Sequence, residues 1–226
     1  MKRLSTGFKE VDSLMGGGIP EGYAVMLCGA PGAGKTMYAL RFLAVGVEKK
    51  EKVAYISYNE PVPRLIRRAA NFKQTSVLKD GHFIETRLES PGYDPFEVIK
   101  IVSDMYPPPS RVVIDSLNKL FTFNKSDMSR RILLHQLLDL FRERNITALM
   151  VYEHIPKLDE NEGFEKFCDE LLYECDGIIN LHVNRAFDKL TRKVEIPKMR
   201  DSPIDYRMLE FDIVDKKGLV FGKTVI

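Results

Sequence analysis

No stretch of this sequence stays apolar for the roughly 20 residues a helix needs to cross a bilayer, and the start, MKRLSTGF, lacks the apolar run of a secretory signal. A chain that neither spans a membrane nor leaves the cytoplasm is expected. Cysteine is scarce: Cys28, Cys168 and Cys175 form an odd set without paired metal-ligand spacing, and Cys28, inside an apolar run, is expected to be a buried thiol. His82, His135, His154 and His182 are scattered without a two-histidine helical motif, which argues against a zinc site. Charge of one sign is also missing. With 34 Lys and Arg against 32 Asp and Glu, the net charge of +2 exerts no global pull on nucleic acid. There is no internal repeat and no low-complexity linker. The one proline cluster, YPPPSR (106–111), reads as a stiff connector into a strand, with a docking motif for an aromatic groove as the alternative.

What is present is an ordinary globular composition, 44% apolar and 29% charged over 226 residues, enough for one sizeable core and short for two. One domain, 1–226, is expected. Short apolar runs alternate with longer amphipathic ones, the pattern of an α/β fold whose parallel sheet carries helices on both faces. Strands are predicted at 24–29, 52–58, 82–86, 111–115 and 147–152, and helices at 35–48, 61–72, 94–105 and 129–144. The last helix has an apolar stripe at 132, 133, 137, 140 and 141, a stop at Asn145, and His135 on its surface. After 176 the segments DGIINLHVNR, TRKVEIPKMR, YRMLEFDIV and GLVFGK read as an antiparallel meander finishing the sheet. Between 157 and 176, Asp159, Glu160, Glu162, Glu165, Asp169, Glu170, Glu174 and Asp176 face only Lys157 and Lys166, a solvated acidic patch.

The chemistry begins at Gly29-Ala30-Pro31-Gly32-Ala33-Gly34-Lys35-Thr36, which fits GxxxxGK[ST]. Gly29, Gly32 and Gly34 permit backbone angles closed to other residues, so successive N–H groups can turn inward around phosphates. The helix that follows adds its positive end. Lys35 brings a full charge to the β and γ phosphates, and the Thr36 hydroxyl is a magnesium ligand. A magnesium site needs a second anchor, and RVVIDS supplies Asp115 at the carboxyl end of a strand, where ligands of open α/β sheets gather. The other reading of Asp115 is a helix cap after the strand.

With that loop, the strand-end aspartate and the entry segment STGFKEVDSLMGGGIPEG (5–22), the chain resembles the RecA superfamily of P-loop ATPases, specifically its KaiC-like branch. The similarity runs over almost the whole chain. The family's entry pattern TGxxxLDxxxGGGIPxG has Val11 here in place of leucine; AYISYNEP, VIDSL, PKMRDS and FDIVDKKGLVF match further family segments. The resemblance implies a RecA-like three-layer P-loop NTPase with a mostly parallel central sheet and a C-terminal antiparallel extension. It also implies a ring of subunits, usually six, with ATP and Mg2+ at each junction. In that ring Lys198 and Arg200 reach the γ phosphate held by the adjacent subunit, and Asp215 lies near that neighbour's nucleoside. An exposed strand of alternating charge is the other reading of Lys198 and Arg200. The Ser-Thr pair phosphorylated in the clock protein has no counterpart, so no clock role is implied.

Family members that hydrolyse ATP well carry two adjacent glutamates after the second strand, where this chain reads Asn59-Glu60. Asn59 has no carboxylate to accept a proton from the attacking water, although an amide can still position one. Binding with slow hydrolysis is the expectation. Glu60 either substitutes as the base or caps the helix that begins at PVPRLIRR. Glu153 matches a polar position that senses the γ phosphate, and His154 beside it reads as structural. Recombinase paralogues hold single-stranded DNA at the ring centre, and Lys119, Phe121, Phe123, Lys125, Arg130 and Arg131 carry a modest signal of that kind. The acidic stretch, at the second candidate loop, opposes it. The leading expectation is an ATP-binding, slowly hydrolysing ring that acts as a nucleotide-dependent switch on an unidentified client. The alternatives are a recombinase paralogue in DNA repair and a non-hydrolysing assembly scaffold.

Overall fold

The computed structural model describes residues 1–85, 94–122, 126–153, 173–186 and 189–225. The entry segment folds first: Arg3–Leu4 (β1) and Ile19–Pro20 (β2) pair antiparallel around the short helix Lys9–Leu14 (α1). The Asp12 carboxylate is buried and accepts from the Thr6 backbone N–H (2.8 Å), the Thr6 hydroxyl (2.6 Å) and the Ser5 hydroxyl (2.5 Å). A buried carboxylate persists only when its oxygens are paired in this way. The threonine and aspartate of the entry segment are therefore structural.

Nine strands make the main sheet among the described residues: Ala24–Gly29 (β3), Val53–Ser57 (β4), Phe83–Glu85 (β5), Arg111–Asp115 (β6), Thr147–Glu153 (β7), Gly177–Ala186 (β8), Lys189–Met199 (β9), Met208–Val214 (β10) and Gly218–Val225 (β11). Their order is β11-β10-β9-β8-β3-β7-β6-β4-β5, parallel from β8 through β5 and antiparallel from β8 to β11. This is the expected mostly parallel sheet with an antiparallel extension. One detail differs: β8, read as part of an antiparallel meander, pairs parallel with β3 on its other side. Pairing partners come from the crossover path and not from the strand's own residues.

The period of two sorts side chains into two cores. Val25 and Leu27, Val53 and Tyr55, Val113, and Leu149 and Val151 face one side, where helix α2 (Lys35–Glu48) and helix α3 (Val62–Ala70) pack. Ala24, Met26, Cys28, Ala54, Ile56, Val112, Ile114, Ala148 and Met150 face the other, against α4 (Glu97–Ser103), α5 (Leu117–Thr122) and α6 (Asp127–Glu143). Continued one step past Ile114 and two past Val151, the same alternation puts Asp115 and Glu153 on the α2 side. These candidate site side chains inherit their face from the core pattern.

Helix α6 starts where Ser126 caps it, its hydroxyl accepting from the Ser129 N–H at 3.2 Å, and stops at Asn145, which takes a left-handed φ of 53°. Its buried stripe is Leu133, Leu134, Leu137, Leu138, Leu140 and Phe141, while Ile132 is 43% exposed. Sequence had placed Ile132 in that stripe. The helix instead turns the i, i+1, i+4, i+5 set to the sheet, leaving 132 at the solvent margin. His135 is exposed and Cys28 buried, as expected. Helices α1 and α5, six residues each, are too short to leave a readable period.

Candidate functional site

The loop Gly29–Thr36 leaves β3 at its carboxyl end and enters α2 through Gly34, whose φ of 100° no other residue adopts cheaply. Gly34 offers no side-chain cap, so the first N–H groups of this 14-residue helix remain available to an anion. Gly29 must be glycine for a different reason. A Cβ there would lie 2.5 Å from the Leu181 carbonyl oxygen of β8. Lys35, at 8% exposure, donates from Nζ to the carbonyls of Gly29 (2.7 Å) and Ala30 (2.9 Å). Burial lowers its pKa below the usual lysine value, while the charges of Glu153 and Asp115 oppose that shift. The ammonium is thus folded over the loop's own carbonyls, in a field set by two carboxylates.

Asp115 ends β6 one strand away from β7 and is the hub of the site. Its Oδ2 accepts from Tyr55 Oη (2.5 Å) and Thr36 Oγ1 (3.3 Å), and its Oδ1 accepts from Asn59 Nδ2 (3.1 Å). Burial and Asp115 together raise the Tyr55 phenol well above its ordinary pKa, so it stays a donor. The pair Thr36–Asp115 fits a magnesium ion, which takes one or two protein oxygens and fills its remaining positions with phosphate and water. Among the described residues no three His, Cys, Asp or Glu side chains cluster as a metal site.

Asn59 follows β4 in a turn closed by Ser57, whose hydroxyl donates to the Glu60 carbonyl at 2.6 Å, and by the Tyr58 N–H donating to the Asp115 carbonyl at 2.6 Å. The Asn59 amide is therefore committed to the Asp115 carboxylate. Of the two readings of Glu60, the helix cap does not form. Its carboxylate pairs with Arg68 (2.9 Å) and Arg64 (3.6 Å) on α3, and that helix has Pro61 at its N-cap with no side-chain cap bond.

Glu153 closes β7 directly beside Gly29 in the parallel register. Its backbone is clamped by Asn118 of α5, which accepts from the Glu153 N–H at 2.6 Å and donates Nδ2–H to the Glu153 carbonyl at 2.9 Å. Sequence reasoning missed both Tyr55 and Asn118. Strand alternation was enough to put Tyr55 on the Asp115 face; nothing local in the sequence marks Asn118.

Lys35, Thr36, Asp115, Asn59 and Glu153 are thus brought together, and Lys198 and Arg200 are not. Lys198 pairs in register with Ile178, itself opposite Met26, and Arg200 lies beyond that rung at the amino end of β3. Five residues of strand, roughly 17 Å, separate Ala24 from Gly29. Lys198 Nζ donates to the Tyr173 carbonyl at 2.7 Å, while Arg200 donates to the same carbonyl and to Asp176 Oδ1, both at 3.3 Å. Burial and the neighbouring Arg200 lower the Lys198 pKa. An extra residue in β9 between Glu195 and Lys198 interrupts the alternation that buries Val194 and Ile196. Asp215 is exposed at the β10–β11 turn, and that hairpin lays Ile213 and Leu219 over Gly34 of the same chain.

Two sequence expectations need correction. Asp176, assigned to a solvated acidic patch, is 5% exposed: it accepts from the Ala24 N–H at 3.0 Å and from Arg142 and Arg200, because the turn into β8 lies under β3. Phe121, offered as a stacking ring for DNA, is fully buried against α6, and Arg130 is spent on the Phe121 carbonyl (3.1 Å) and Asp127 (2.9 Å). Phe123, Lys125, Cys168, His154 and the acidic residues of 157–172 lie outside the described residues.

A protein-family model for ATPases of the KaiC type matches residues 4–225. A circadian clock protein, KaiC3 of Synechocystis sp., is 26% identical over 97% of this chain, which spans 45% of that relative's length. A UPF0273 protein of Pyrococcus horikoshii is 29% identical, with 100% of this chain and 96% of that protein aligned. A solved KaiC-like protein from Pyrococcus horikoshii superposes with a TM-score of 0.79 at 25% identity, over 98% of this chain and 99% of that one.

Proposed function

Because this chain belongs to the KaiC family of ATPases, we propose that it binds MgATP at the Gly29–Thr36 loop, hydrolyses it slowly, and acts as a nucleotide-dependent switch assembled as a homo-oligomeric ring. The observation that carries the reading is the convergence of Lys35, Thr36, Asp115 and Glu153 at the leading end of α2, with Asn59, two residues past β4, an amide bonded to Asp115. On binding, phosphate oxygens replace the Gly29 and Ala30 carbonyls as acceptors for Lys35, and the free N–H groups of α2 face the same anion. Thr36 and Asp115 would hold magnesium, which would supply charge neutralisation on the phosphates. Glu153, its backbone held by Asn118, sets a carboxylate whose charge already acts on Lys35, which supports a role in sensing the outermost phosphate. Asn59 orients a water without taking its proton, and this is why turnover is slow.

The far placement of Lys198 and Arg200 supports their action in trans. At the amino edge of β3 they are out of reach of their own loop, and they complete the site only from a neighbouring copy. A six-membered ring is the form the family resemblance favours. No helix among the described residues is long and apolar enough to cross a membrane, in line with the proposed cytoplasmic location. Asn59 also supports a second reading, a scaffold that binds ATP without cleaving it.

Light scattering with and without MgATP, followed by turnover on the same sample across a dilution series, tests the proposal. Nucleotide-promoted assembly and a turnover per chain that falls on dilution are expected. Tight binding with no turnover selects the scaffold, and stimulation by single-stranded DNA selects a recombinase-like role. Failure to bind any adenine or guanine nucleotide overturns the reading, and constant turnover down to monomer removes the trans assignment.

A further inference from the structure

We propose that Arg192, on the antiparallel extension, is a same-chain positioning residue for the phosphate loop, holding the Gly32–Ala33 peptide in its anion-accepting orientation; this rests on the nucleotide-site reading above. Arg192 Nε donates to the Gly32 carbonyl at 3.3 Å, across 160 residues of sequence. Its backbone is well placed to do so. Arg192 lies inside β9, paired with Val183 of β8 on one side and Phe211 of β10 on the other, so the strand is held there from both edges. Phe211, in the same row, covers Gly34. One rung of the extension therefore meets the loop at two of its glycines.

The peptide geometry gives the contact its consequence. In a planar trans peptide the carbonyl oxygen and the following N–H point in opposite directions. With the Gly32 oxygen held outward by Arg192, the Ala33 N–H must point into the loop, where it donates to the Ala30 carbonyl at 3.1 Å. That carbonyl also accepts from Lys35 Nζ at 2.9 Å, so Ala33 N–H and the ammonium converge on one acceptor position. A phosphate oxygen arriving there takes both donors. Gly32 has no side chain to restrain it and open space around its Cβ position, so without Arg192 this peptide is kept from turning over from the Ala33 side alone, by the burial of Ala33 and its one N–H bond to Ala30. Loops of this kind bind anions through N–H groups already turned inward, and reorientation on binding is lost affinity. Arg192 also sets a guanidinium beside the phosphates, a through-space attraction that salt screens, whereas the orientation of the peptide is not screened.

The test is titration of MgATP and MgADP against the full chain, wild type and Arg192→Ala, Arg192→Lys and Arg192→Gln, at low salt and at 0.5 M salt. The expected result is about five- to thirty-fold weaker binding of both nucleotides to Arg192→Ala, with at least half of that factor surviving high salt. Arg192→Lys recovers only the salt-sensitive part, and thermal midpoints without nucleotide stay at the wild-type value. Wild-type affinity in Arg192→Ala, a deficit that vanishes in high salt, or full rescue by lysine at both salts overturns the positioning role. A wild-type chain that binds neither nucleotide overturns the site reading itself, and this proposal with it.

Discussion

Replacing Asn59 by glutamate puts a second carboxylate where an amide now donates to Asp115 Oδ1 at 3.1 Å. Two costs follow in the chain without nucleotide. The hydrogen bond to a charged acceptor is lost, worth about 1.5 kcal/mol for a side chain as exposed as Asn59. Two carboxylates about 4 Å apart repel by roughly 1 kcal/mol in water and about 4 kcal/mol at the dielectric of a protein surface. The introduced side chain can swing outward, so the lower half of that range applies and the total is about 2 to 4 kcal/mol. For a chain of this size each kcal/mol moves the midpoint by about 2–4 °C, and differential scanning fluorimetry should show Tm falling by about 5–15 °C. MgATP reverses it, because a cation beside Asp115 turns repulsion into attraction. Turnover then rises, with a positioned general base worth about a hundredfold or more. An unchanged midpoint, or a loss that MgATP leaves in place, refutes the contact with Asp115. Flat turnover in both Asn59→Glu and Glu60→Gln refutes the idea that this position limits the rate.

Asp12→Ala strands the buried Thr6 N–H while the two hydroxyls can rotate to other acceptors, so urea denaturation should show a loss of about 2–4 kcal/mol with nucleotide contacts untouched; a loss below 0.5 kcal/mol would mean the entry segment adds nothing. For Lys35 the folded pKa is lowered by burial, so between that pKa and 10.5 the unfolded chain holds more protons and stability without nucleotide rises with pH. Phosphates favour the charged form, so MgATP affinity should fall as pH rises through the same window and binding should take up a proton. Calorimetry in buffers of different ionisation enthalpy detects that uptake, and its persistence in Lys35→Met would assign it elsewhere.

Much of the fold is legible in the order of residues because the central strands and long helices bury one face each and carry the period of that burial. Strands β3, β4, β6 and β7 and helix α2 lie where alternation and amphipathic spacing put them. What failed to show were the short elements, α1, α5 and the β1–β2 pair, whose few residues are held by Asp12 and by neighbouring strands and carry no period of their own. Ile132 was misplaced because two adjacent helical faces differ by a rotation that only the packed sheet selects. Asp176 was misplaced because a carboxylate in an acidic run looks solvated until β3 is laid over it.

The loop Gly29–Thr36 could be singled out from sequence alone, since the phosphate binding proposed for it resides in consecutive main-chain N–H groups, and consecutive groups are what a sequence spells out. The face of Asp115 and Glu153 followed from the same local rule. Which partners those groups meet was decided elsewhere. Tyr55 and Asn59 reach Asp115 through the pairing of β4 with β6, Asn118 reaches Glu153 by the departure of α5 from β6, and Arg192 reaches Gly32 because three antiparallel strands fold the end of the chain back over its beginning. Contacts across 35 to 160 residues depend on sheet order. That order is set by loop paths and by total burial, neither of which is written in any short stretch of sequence.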